Sequence, residues 1–139
     1  MATVQKSLRI PAEIVTAIEE LAEVFRKDFS ATAVELLAEG VKMRRCPGIV
    51  FADSPSGRHA RVAGTGLDVW EIIAMYQSLE RDPARLRDAY HWLSDAQLRA
   101  ALGYYAACPE EIDRRIALDE RWTKERLQAE YPFLVADRR

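Results

Sequence analysis

The chain has 139 residues, with 20 Lys+Arg against 22 Asp+Glu and a formal charge of -2. A content of 49% hydrophobic and 30% charged residues is that of a folded globular protein and excludes a disordered chain. No stretch reaches the roughly 18 apolar residues of a membrane helix, and the two cysteines, Cys46 and Cys108, form no CxxC, which excludes a zinc ribbon. The opening MATVQKSLRI has no apolar signal core, so a cytoplasmic protein with free thiols and no membrane association is expected. A near-neutral chain does not coat nucleic acid indiscriminately, although a local basic face suffices for sequence-specific binding. Residues 1–45 are neutral overall and the remainder carries the net negative charge. Charge alone names no partner.

Residues 3–10, TVQKSLRI, alternate: Val4, Leu8 and Ile10 on one side, Gln5, Ser7 and Arg9 on the other. That pattern predicts a short half-buried strand. Pro11 suits a first helical position, and Ile14, Ile18, Leu21 and Phe25 follow at helical spacing, predicting a helix over 11–27. Asp28 and Phe29 mark a break, and Ser30 is a natural N-cap for a second helix whose apolar face is Val34, Leu37, Ala38 and Val41. Lys42, Arg44 and Arg45 suit its C-terminus, while Gly40 inside it costs about 1 kcal/mol relative to alanine. A boundary is expected at Cys46-Pro47-Gly48. GIVFA (48–52), DSPSG (53–57) and RHARV (58–62) then read as a hairpin. Asp68 with Glu71 opens a helix through about Leu79, Asp82-Pro83 a second, Ser94 with Gln97 a third, and Pro109 a long charged fourth carrying Ile112, Ile116 and Trp122. The chain closes with YPFLVADRR.

A lone strand leaves its backbone donors and acceptors without partners, and no second strand lies nearby. Antiparallel pairing with the same strand of a second copy is the economical solution, with the helices burying Val4, Leu8, Ile10, Ile14, Ile18, Leu37 and Val41 beneath the ribbon. The outer face then presents Gln5, Ser7 and Arg9, residue types that read adenine and guanine edges from a ribbon in the major groove. Strand, proline, helix, turn and Ser-capped helix within 45 residues resemble the ribbon-helix-helix family, the fold of the Arc and MetJ repressors. The resemblance implies base reading by Gln5, Ser7 and Arg9, and phosphate contacts from Ser30 and the amides at Ala31 and Thr32. Lys6 stands where the family usually has an apolar residue; at the ribbon's end it is expected to reach a phosphate.

ARVAGTGLDVWEIIAMY (60–76) and RLRDAYHWLSDAQLRAALGYYA (85–106) resemble a small domain of unknown biochemical function found in bacterial antitoxins. Ala101-Leu102-x-Tyr104-Tyr105 is the most distinctive match, and Gly66 replaces the arginine expected in the Gly-Thr-Arg turn. The resemblance implies a VapB-type antitoxin whose cognate is a PIN-like ribonuclease toxin. Helices over 83–91 and 94–106 have helix-turn-helix spacing. The second carries Arg99 but little other basic surface, so a protein-binding surface is expected there rather than a second DNA reader. Trp122, Tyr131, Phe133, Leu134 and Val135 are the candidate toxin-binding residues, an apolar arm at the end of the chain.

Catalytic signatures are absent from the sequence. There is no GxSxG, GxxxxGK[ST] or GxGxxG, and His59 and His91 sit on different elements without metal-ligand spacing. Asp53 and Asp82 fall at turns or caps, where aspartate is expected. The expectation is therefore a non-enzyme without metal or cofactor. Its fold is mainly α with short β: a ribbon-helix-helix dimerisation domain (1–45), a hairpin with a helix-turn-helix-like domain (46–107) and a C-terminal helix and tail (108–139). The leading function is an antitoxin that represses its own promoter, with operator DNA, a toxin and a second copy of itself as partners; assembly beyond the dimer stays open. A ribbon-helix-helix regulator without a toxin, or a dimeric protein-binding scaffold, are the alternatives.

Overall fold

A computed structural model describes residues 2–120, 124–130 and 132–134. The chain is mainly helical with one two-stranded antiparallel sheet, and it divides into two compact units, Met1–Arg44 and Arg45–Arg139.

In the first unit, α1 spans Ala12–Val24 and α2 begins at Phe29 and runs to Arg45. The carbonyl of Pro11 accepts from Ile14 and Val15 N–H at 3.0 and 3.1 Å, so proline starts the helix as its fixed φ allows. α1 ends before the expected Lys27. Arg26 enters the left-handed region at φ 53, and the Lys27 N–H returns to the Ala22 carbonyl at 2.9 Å, closing the last turn. Lys27 then reaches over to Glu35 of α2 at 2.7 Å. Gly40 lies within the uninterrupted α2.

The expected strand over 3–10 is not formed in the single chain; residues 2–10 belong to no regular element. The physical reason is the one that makes a lone strand unstable: its backbone ladder needs a partner, and this chain supplies none. Of the seven residues expected to lie buried beneath the ribbon, only Ile18 is buried within one chain.

The second unit opens with the hairpin β1 (Ile49–Ser54) and β2 (Gly57–Val62), paired from Ile49↔Val62 to Ser54↔Gly57 around the two-residue tip Pro55-Ser56. Gly57 takes φ 119, the conformation that glycine supplies without steric cost. Helices α3 (Val69–Ser78), α4 (Pro83–Ala89), α5 (Asp95–Ala107), α6 (Pro109–Glu120) and α7 (Lys124–Glu130) follow, with a 3-10 turn at Pro132–Leu134.

The caps read from sequence in this second unit recur as bonds. Glu71 accepts the Asp68 N–H at 2.9 Å, Asp82 the Ala84 N–H at 2.9 Å, and Ser94 and Gln97 bond reciprocally at 2.8 and 3.1 Å. The core joins Ile49, Ala60 and Val62 of the hairpin to Ile72, Ile73, Leu86, Leu98, Ala101 and Tyr104, with Ile112 and Ile116 of α6 included. Helix α6 is thus part of this core. The long fourth helix ends at Glu120, and Trp122 lies outside the described residues.

Candidate functional site

Gln5, Lys6, Ser7 and Arg9 are all exposed on the segment before α1. Beside them the first unit exposes a run of large apolar side chains: Val4 at 77%, Leu8 at 67%, Val34 at 64% and Leu37 at 62%, with Ile14 and Val41 half exposed. Full burial of such a side chain is worth about 1.5–3 kcal/mol, so this surface holds a large free-energy gain for whatever covers it. Ile18, Ala22 and Thr32 are the residues this unit buries.

The start of α2 differs from expectation. Ser30 is not the cap; it sits one residue inside the helix. Asp28 caps instead, its carboxylate accepting the Ala31 N–H at 2.6 Å while its carbonyl accepts the Thr32 N–H at 3.1 Å and the Thr32 hydroxyl at 2.9 Å. Asp28 and Ser30 are both good caps, and Phe29 is tolerated as a first helical residue, so the sequence alone does not choose between them. As a result, the amides of Ala31 and Thr32 are already engaged, and a carboxylate occupies the helix end where a phosphate contact was expected. Ser30 keeps an exposed position.

In the second unit, Ala101 and Tyr104 of the distinctive motif are fully buried, and Leu102 and Tyr105 pack against the core. Tyr104 donates its hydroxyl to Glu111, and its ring meets Phe51 edge-on at 6.3 Å. Burial, followed by the bond to Glu111, pushes the Tyr104 phenol far above its usual range. Tyr105 donates to Asp113 at 2.6 Å and accepts from Gln77 at 3.3 Å, so both tyrosines pin α5 to α6. Near the hairpin, Arg61 pairs with Asp68 at 3.0 Å, Trp70 donates to the same carboxylate at 3.3 Å, and the Arg115 guanidinium lies 4.9 Å from the Trp70 ring. Sequence reasoning missed this cluster, because capping accounted for Asp68 and nothing local ties Arg115 to Trp70. Gly66 takes φ 70, a conformation that L side chains rarely adopt, although an added Cβ would meet nothing within 4 Å.

His59 bonds the Ser56 hydroxyl at 2.9 Å on the hairpin, and His91 stands edge-on to Trp92 at 5.1 Å. Among the described residues no three His, Cys, Asp or Glu side chains gather where they could hold a metal ion. Cys46 and Cys108 are free thiols, and burial pushes the Cys46 thiol up. Of the arm, Phe133 is 75% exposed and Leu134 ends the 3-10 turn; Tyr131 and Val135 lie outside the described residues. No described helix is long and apolar enough to cross a membrane.

No protein-family model, no curated protein and no solved structure matches the chain.

Proposed function

We propose that the chain is an antitoxin: a dimeric ribbon-helix-helix repressor of its own promoter whose second unit binds a PIN-like ribonuclease toxin. The observation that carries the DNA-binding half is the first unit itself. It exposes apolar side chains on the segment before α1 and on both helices, and it carries a strand-length segment with no partner. A second copy satisfies both needs at once, pairing the segments into a ribbon and covering Val4, Leu8, Val34 and Leu37. Gln5, Ser7 and Arg9 then lie on the outer face for base reading, with Lys6 and Ser30 as the phosphate contacts of this reading. The engaged amides of Ala31 and Thr32 contribute less to phosphate binding than the family resemblance implies. The toxin-binding half rests on the antitoxin resemblance of 60–106.

Arg9→Ala tests the reading. The side chain is exposed, so folding should be unchanged, while discrimination at a guanine in the operator should fall by roughly 1–3 kcal/mol. A gel shift with the chain's own upstream DNA reads this. Equal binding by Arg9→Ala and wild type removes the ribbon from DNA recognition. Failure of the wild-type chain to shift that DNA at all favours the protein-binding scaffold instead.

A further inference from the structure

We draw no further inference here: the strongest candidate, the apolar groove between α4 and α5 lined by Leu86, Leu98 and Leu102, carries nothing because no feature of the structure shows what covers it.

Discussion

Tyr104 shows how a single side chain ties the second unit together. Its ring is wholly buried, its edge meets Phe51, and its hydroxyl donates to Glu111 across the Cys108-Pro109 corner. A phenol ionises near 10 in the unfolded chain, but burial and the Glu111 carboxylate keep the folded one protonated well past that. The stability that Tyr104 confers is therefore fully present below about pH 10 and declines as pH rises beyond it, because only the unfolded state releases the proton. Tyr90, raised by desolvation, and Tyr105, raised by its bond to Asp113, act in the same direction. Tyr104→Phe should cost about 1 kcal/mol at neutral pH and should flatten this alkaline decline. Urea unfolding at neutral pH and above about pH 10 measures both; an undiminished alkaline slope in the variant would assign the effect to the other tyrosines. The Ala-Leu-x-Tyr-Tyr pattern was legible as distinctive, whereas its job as an α5–α6 clasp was not, since Glu111 and Asp113 are acids among the many charged positions of α6, and nothing local ties them to Tyr104 and Tyr105.

Among the elements, those closed by local chemistry were the ones the sequence revealed. The hairpin tip between Ser54 and Gly57, the α3 start at Asp68, the α4 cap at Asp82 and the Ser94–Gln97 box all depend on residues within four positions of one another. Where closure needs an unexpected residue in a left-handed turn, the reading slipped. α1 stops at Val24, short of the expected Lys27, because Arg26 takes φ 53; α3 ends at Ser78 close to where it was expected, with Glu80 and Arg81 at φ 58 and 57 and the Arg81 N–H returning to Tyr76 at 2.9 Å. Glycine usually fills such a position, and its absence hides the turn. Arg26→Gly should release roughly 1 kcal/mol of backbone strain and lose part of that to the greater freedom of the unfolded chain, a net gain of about 0.5 kcal/mol. A lower urea midpoint for this variant would show that the Arg26 side chain contributes more than its backbone costs. The N-terminal segment was a different case: its alternation is plain, but residues 2–10 form no regular element in the single chain.

At the scale of the whole molecule, the proposed function gives the two units different partners. If the exposed face of residues 1–45 is covered only by a second copy, the stability of this unit rises with protein concentration, and Leu8→Asp abolishes dimer and operator binding together by placing a charge in the covered face. Sedimentation giving a folded monomer of Leu8→Asp at micromolar concentration with operator binding intact would remove the ribbon. The far end of the chain asks a separate question. α6 is fixed to the core by Ile112 and Ile116, yet the 3-10 turn at Pro132–Leu134 carries Phe133 largely into solvent, in a stretch as apolar as YPFLV. Under the proposed function, Phe133 is an apolar anchor for a cleft in the toxin. Deleting residues 130–139 should then leave the fold, the dimer and operator binding unchanged while abolishing rescue of cells that express the toxin. Unfolding of the truncated chain would place the arm in the core of the second unit. Full rescue by a folded truncated chain would free the tail from any inhibitory role.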